Sequence, residues 1–425
     1  MAEAKHGPPV TEAGYVNGRG GRTDWQHWDE DERVPELQWP QSVHTYSRMT
    51  REDGRVSSLL QAIGLPVRRT PWRIDPNGAR DEVAEFVAQN LGLSIAGGAP
   101  VALPRTKGRF SWGQHLQTAL LMLPYGHSYF EQVYRIDDDG FARIRKLAPR
   151  PQKTISAINV ALDGGLESIK QSPPASTSKL TFGIAGVEIP VDRLVAYVRD
   201  PEPGQWTGSS LLRPAYKHWI LKDEFMRLQA ATARRNGMGV PVATAPEGEK
   251  DTEKYRKIAS EFRGGMASGV GLPFGANFDL KGVNGNLPDM QQAIDYQDKQ
   301  IALAGLAHFL NLDKGGSYAL ASVQADTFVQ SVQTFAESIR DTANAHIVED
   351  LVDINFGEDE PAPRIVFDEI GSRQDATAAA LTMLVQAGLL EPDEVVKISV
   401  RQMVGLPTQQ GSTEPAPAAT EEAPA

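Results

Sequence analysis

Apolar positions along the first half of this chain alternate between two periods. Val56, Leu59, Leu60 and Ile63 fall at helical spacing, and Gly64 is the predicted stop. "VRRTPWRIDP" then alternates as a strand closed by Pro76. Val83, Phe86, Val87 and Leu91 share one face of a helix predicted over 80–93, and another helix is predicted over 111–123. "SYFEQVYRI" and "FARIRKLAP" alternate on either side of "DDDG", the pattern of two strands joined by a turn. Short β runs with breaks such as "SPPASTS" fill 152–200, so 46–205 reads as an α+β domain.

After "EPGQWTGSS" the helical period takes over. One long helix is predicted over 209–236, with Ser209 as N-cap, Pro214 in the first turn and Gly237 as the stop. At ~1.5 Å per residue it would be about 40 Å long. A small mixed unit over 238–286 follows: "GVPVATAP" as a strand, "TEKYRKIASEF" as a helix and two further β runs. A second helix is predicted over 288–311, then a glycine loop within "NLDKGGSYALASVQADTF", then a third helix over 320–355. That helix carries Leu320, Val323, Phe328, Val332, Phe335, Ile339, Ala343, Ile347 and Leu351 at steps of three to five. Its length exceeds that of ordinary globular helices and needs a reason. "NFGEDEPAPRIVFDE" supplies a turn and a short strand, two more helices are predicted over 372–405, and 407–425 is low-complexity. Residues 1–45, rich in Gly, Pro, Asp and Glu, read as an extended arm. Its Trp25, Trp28 and Trp39 either dock on another surface or tuck back onto their own domain.

Composition narrows the class. The 425 residues are 40% hydrophobic and 23% charged, ordinary for a folded protein. No apolar run is long enough for a membrane span and the first residues lack the apolar core of a signal peptide, so a cytosolic protein is expected. The absence of cysteine excludes disulfides, thiolate metal sites and a cysteine nucleophile. A net charge of −11 argues against a tight nucleic-acid binder, yet suits a conduit that lets a polyanion slide past a few guiding cations.

Candidate chemistry is sparse. Lys314 precedes Gly315 and Gly316 and the segment before it is helical, which is not the order of a phosphate-binding P-loop. "RGGMASGVGLPFG" has no Gly-x-Gly-x-x-Gly and no suitably placed acid unless Asp289 is forced into the role, so it reads as a turn cluster. His346 and Glu349 share a helix face but lack the rest of a carboxylate-bridged iron site. Asp137, Asp138 and Asp139 lack calcium-loop spacing, Asp295 and Asp298 lack a third acid, and no nucleophile elbow occurs. No catalytic residue, metal or cofactor is expected. What stands out is shape: two long helices joined through a small unit, with more apolar side chains than one seam needs (Leu211, Leu212, Trp219, Phe225, Met226 and Leu228 on the first). Side-by-side packing with copies of itself, in a ring, would cover them.

Four segments in order, "YSRMTREDGRVSSLLQAIGLPVRRTPWRIDP" (46–76), "GSSLLRPAYKHWILKDEFMRLQAATARRNGMGVPV" (208–242), "GGSYALASVQADTF" (315–328) and "LVDINFG" (351–357), resemble the portal proteins of tailed bacteriophages, Mu-like branch. The resemblance covers about 46–405 and implies a structural protein without enzymatic activity. It implies a dodecameric ring at one capsid vertex of the virion, assembled in the host cytoplasm, through which double-stranded DNA is packaged and ejected. The implied parts are a wing (46–205), stem helices (206–237 and 287–310), a clip (238–286), a tunnel loop (311–319), a long helix with its wing/crown connection (320–371) and a helical crown (372–406). Implied partners are double-stranded DNA bound non-specifically, the terminase large subunit, the major capsid protein and head-completion or adaptor proteins, with no membrane. Asp313, Lys314, Gly315, Gly316, Ser317 and Tyr318 become candidates for the tunnel loop. Lys217, Lys222, Arg227, Arg234, Arg235 and Lys299 become candidates for the channel wall, against a role for each in solvated or inter-subunit ion pairs. Another ring-forming head connector or capsid-associated protein is the alternative.

Overall fold

The computed structural model describes residues 32–98, 110–161, 163–172, 186–238, 240–262, 269–281, 289–305 and 318–371, with backbone alone at 235–238 and 318–326. Its helices in chain order are α1 (Gln41–Glu52), α2 (Gly54–Arg69), α3 (Asp81–Leu91), α4 (Trp112–Ala119), the single turn α5 (Met122–Tyr125), α6 (Tyr216–Met238), α7 (Glu253–Glu261), α8 (Met290–Ala304), α9 (Tyr318–Ala343) and α10 (Glu349–Phe356). Its strands are β1 (Trp72–Asp75), β2 (Ser94–Ile95), β3 (His127–Ile136), β4 (Ala142–Arg150), β5 (Ile155–Val160), β6 (Leu166–Gln171), β7 (Val187–Pro190), β8 (Leu194–Val198), β9 (Val240–Thr244), β10 (Asn277–Lys281) and β11 (Arg364–Phe367). The class is α+β, as the sequence implies.

Three small sheets build the body. β1 lies between antiparallel β11 and parallel β2, β3 between antiparallel β4 and β8, and β6 between antiparallel β5 and β7. The main core closes the apolar faces of α2, α3 and α4 onto α9, α10 and the first two sheets, through residues such as Leu59, Phe86, Leu116, Phe130, Val332 and Leu351. A second cluster fills the space between Tyr129, Leu194 and the β5–β7 sheet. A third joins α1 and α2 to the base of α6 and α8 through Tyr46, Met49, Val56, Leu212 and Ile301.

The local patterns hold where neighbours in sequence decide. Val83, Phe86, Val87 and Leu91 all line the buried face of α3. "DDDG" is the turn between β3 and β4, where the Asp137 carboxylate accepts from the amides of Asp139 and Phe141 and pairs with Arg143 at 2.6 Å. That acid is structural. Of the glycines described in the 263–275 run, Gly275 lies in a turn ahead of β10, at φ 89°.

Several boundaries move. Gly64 does not stop α2: the helix runs on through Pro66 to Arg69, with Gly64 buried beside Leu120. The helix predicted over 111–123 breaks into α4 and α5. Ser209 does not cap α6, which begins at Tyr216 and passes through Gly237 to Met238. Residues 211–215 form turns instead, and the Ser210 hydroxyl accepts from the Leu212 amide while donating to the Pro124 carbonyl. The described part of the arm, from Glu32, is folded onto the body. Its α1 starts at Gln41, Leu37 and Trp39 are buried, and the Arg213 guanidinium grips the Glu32 carboxylate. Trp39 therefore tucks back, while Trp25 and Trp28 lie outside the described residues, as do the predicted helices of 372–405 and the tail.

The third long helix is interrupted by a π-helical turn at Asn344–Val348 between α9 and α10. Ile339, Ala343, Ile347 and Leu351 follow one another at steps of four, and each such step rotates ~40° beyond a whole α-helical turn. The wider π turn takes up that rotation, so all four stay fully buried. The buried Asn344 amide meanwhile pairs with both the N–H and the carbonyl of Ile365 in the edge strand β11.

Candidate functional site

α6 and α8 run antiparallel as a hairpin that leaves the body. Three contacts set their register: His218 Nδ1 with Gln297 Oε1 at 2.7 Å, Lys222 with Asp298 at 2.6 Å, and Gln229 with Gln291 at 3.3 Å. At the base the hairpin is clamped. Asp53 caps α2 by accepting from the amides of Arg55 and Val56 with one oxygen, and its other oxygen takes Lys222 Nζ at 3.0 Å. Lys222 thus bridges Asp53 and Asp298. Burial disfavours its charge, but the hydrogen bonds and negative charges of both carboxylates outweigh that and hold its pKa above the ordinary lysine value.

Beyond the base, α6 packs mainly on α8. From Lys217 to Arg234 no residue is fully buried, although the stretch includes Ile220, Leu221, Phe225, Met226 and Leu228. Met226 is 50% exposed and Leu228 44%. Fully burying a Leu, Ile or Met side chain contributes roughly 1.5–3 kcal/mol, so covering four half-exposed ones would contribute on the order of 4 kcal/mol per subunit. The hairpin ends in a small unit of α7 on the antiparallel β9–β10 pair. Tyr255 is buried there, Phe262 packs on Phe278 at 5.1 Å between ring centroids, and Phe274 is fully exposed. A two-stranded pair of this kind is marginal by itself, so the tip also calls for neighbours.

The sequence candidates distribute unevenly. Lys217, Arg227 and Arg234 are exposed on α6, with Arg227 paired to Asp223 one turn away. Arg227 and Arg234, seven residues apart, lie on one stripe of that helix. Lys299 is exposed on α8. Arg235 lies in α6, but its side chain is outside the described residues. Lys222 is the exception to an open position, with only 12% of its side chain exposed between two carboxylates of its own chain. Asp313, Lys314, Gly315, Gly316 and Ser317 lie outside the described residues, and Tyr318 opens α9 with its side chain likewise outside. α6 holds five basic residues against two acidic ones, the opposite balance to the chain as a whole.

Other candidate chemistry resolves into structure. Glu349 pairs with Arg364 at 2.7 Å, and Asp295 accepts from Gln291 within α8. Sequence reasoning missed the joint where the body hands over to the hairpin. Gly126 and Gly208 cross there at positive φ; a Cβ on Gly208 would lie 2.2 Å from the Gly126 carbonyl oxygen. "YGHSY" and "WTGSS" each show a glycine beside a β run, and that is the only local signal.

A layered α+β body that carries an unclad helical hairpin with a small mixed tip is the form of an assembly-building protein. The chain belongs to the family described as the portal protein of Mu bacteriophage, whose model matches residues 43–406. That family is structural and non-enzymatic. Among solved structures, the chain is similar to one from the virion of a native gene transfer agent particle, at 13% identity and a TM-score of 0.56, covering 87% of this chain and 95% of that one. It is similar to a chain in the neck of the empty particle computed with C6 symmetry, at 14% identity and a TM-score of 0.56, covering 86% and 94%. A third, from the neck of the native particle computed with C12 symmetry, has 13% identity and a TM-score of 0.55, covering 87% and 95%. At these identities the likeness establishes a shared fold.

Proposed function

We propose that this chain is one subunit of a closed ring of twelve at one capsid vertex of a virion. Double-stranded DNA passes through the ring during packaging and ejection, and the terminase large subunit, the major capsid protein and head-completion proteins dock on it. One observation carries this reading: beyond its clamped base α6 packs mainly on α8 and leaves Ile220, Leu221, Met226 and Leu228 exposed. Ring neighbours would cover that surface, since a repeated heterologous contact closes into a ring. Membership of the portal family and the fold shared with C12 neck particles both support it.

In this reading 46–205 is the wing, α6 and α8 belong to the stem, 238–286 is the clip, and 311–319 is the tunnel loop. Residues 372–406 form the crown. Lys217, Arg227, Arg234, Arg235 and Lys299, each repeated around the ring, supply collars of positive charge that guide phosphates without reading sequence. Lys314 does the same in the tunnel loop. Lys222 instead holds the stem to the wing.

Cross-linking the assembled particle to terminase tests the assignment. A link through exposed Phe274 or its neighbours in the tip is expected. A ring that never links to terminase through the tip would point instead to another ring-forming head connector.

A further inference from the structure

Outside the hairpin, a cavity of about 910 Å³ opens between α4 and the β3–β4 strands, beside the edge strand β4. Arg135, Arg145, Lys146 and Arg150 line it, and no carboxylate does among the described residues. Arg150 is held by Glu131, but the other three make no ion pair with any described residue. In a chain of net charge −11, three unpaired cations converging on one concavity need a counter-charge. Arg135 Nε, buried in the cavity wall, also has no hydrogen-bond partner, and buried polar groups in folded proteins are nearly always paired. Ser111, at the N-terminal end of α4, adds the positive end of a helix dipole.

We propose that this cavity receives the chain's own acidic stretch "DWQHWDED", residues 24–31. The stretch offers Asp24, Asp29, Glu30 and Asp31 with no Lys or Arg among them, opposite in sign to the cations. It also carries Trp25 and Trp28, the two arm tryptophans that remain once Trp39 has found its place in the body. Phe110 and Pro149 give the cavity apolar wall on which an indole can lie. The stretch leads directly into Glu32, itself fixed by Arg213, so its end starts from a set point on the body. Eight residues reach no further than about 27 Å. The cavity filled is that of the same subunit or of an adjacent copy. The inference does not depend on the ring.

The cysteine-free chain makes the test clean. Full-length protein carrying Gln26→Cys and Gln117→Cys, the latter an exposed residue of the cavity rim, is treated with a short bis-maleimide. A cross-link is expected, running as a monomer if made in cis and as a dimer if made to a neighbour. Arg145→Glu with Lys146→Glu, both at exposed positions, should lower its yield about tenfold with the circular dichroism spectrum unchanged. Adding Asp29→Lys and Glu30→Lys should restore it. Absence of the link, or a yield indifferent to the charge reversal, overturns the proposal. If the reversal leaves the link intact but weakens retention of duplex DNA, the cavity is a phosphate contact and the proposal also falls.

Discussion

Lys222 shows how far a single side chain can be from the role its position suggests. It sits among exposed cations on α6, yet its ammonium closes a bridge to Asp53 and Asp298. Lys222→Met would leave Asp53, with a 6% exposed side chain, facing a partner that no longer carries charge. Breaking a buried pair costs about 3–5 kcal/mol, and the partial exposure of Asp298 reduces that to about 2–3 kcal/mol. Urea unfolding measures it; a loss below about 0.5 kcal/mol would contradict the bridge. Two histidines make a second prediction. Burial pushes His115 down to about 3 and His127 down to about 4, the latter against the pull of its hydrogen bond to the Thr207 carbonyl. The unfolded chain takes up a proton at each near pH 6.5 while the folded chain does not, so stability is complete above that pH and falls as the solution is acidified. Between pH 6.5 and 5 the expected slope is up to about 1.4 kcal/mol per pH unit for each histidine. His115→Phe keeps the ring packed on Phe130 and should roughly halve that slope in urea titrations. An unchanged slope would mean that His115 is protonated in the fold.

At the scale of elements, α6 separates stability from assembly. Its base is fixed by Tyr216 and Lys222, while Met226 and Leu228 touch little in their own chain. Met226→Lys with Leu228→Lys should therefore leave the circular dichroism and thermal transition of the subunit nearly unchanged and abolish larger species on size exclusion. Loss of the fold together with the assembly would show that this face is internal. The same contrast explains what the sequence made legible. α3, the β3–β4 hairpin and the core face of α9 were readable because neighbours within a few residues decide them. Gly64, Ser209 and Gly237 misled for the opposite reason. α2 packs Gly64 under Leu120, and the Ser210 hydroxyl is taken by Pro124 in a distant segment. The partner of Lys222, Asp53, is 169 residues away, a relation that no spacing rule contains. The π turn did leave a trace in three successive steps of four, but only burial on both sides gives that trace meaning.

For the whole molecule, the claim is that this subunit is unfinished by itself. An α+β body with three apolar clusters is complete, whereas the hairpin and its tip present apolar surface and a basic helix without covering. Closure around an axis would turn both into function at once: the apolar faces become the contacts between copies, and the cations become rings around a passage. In the proposed conduit, the acidity of the remaining surface would then keep DNA from adhering elsewhere. Electron micrographs of the purified full-length protein, averaged down the particle axis, test this most directly. The account predicts a closed ring with an open centre and the twelve-fold symmetry of the related C12 neck. A stable monomer that forms no ring at any protein concentration would contradict it.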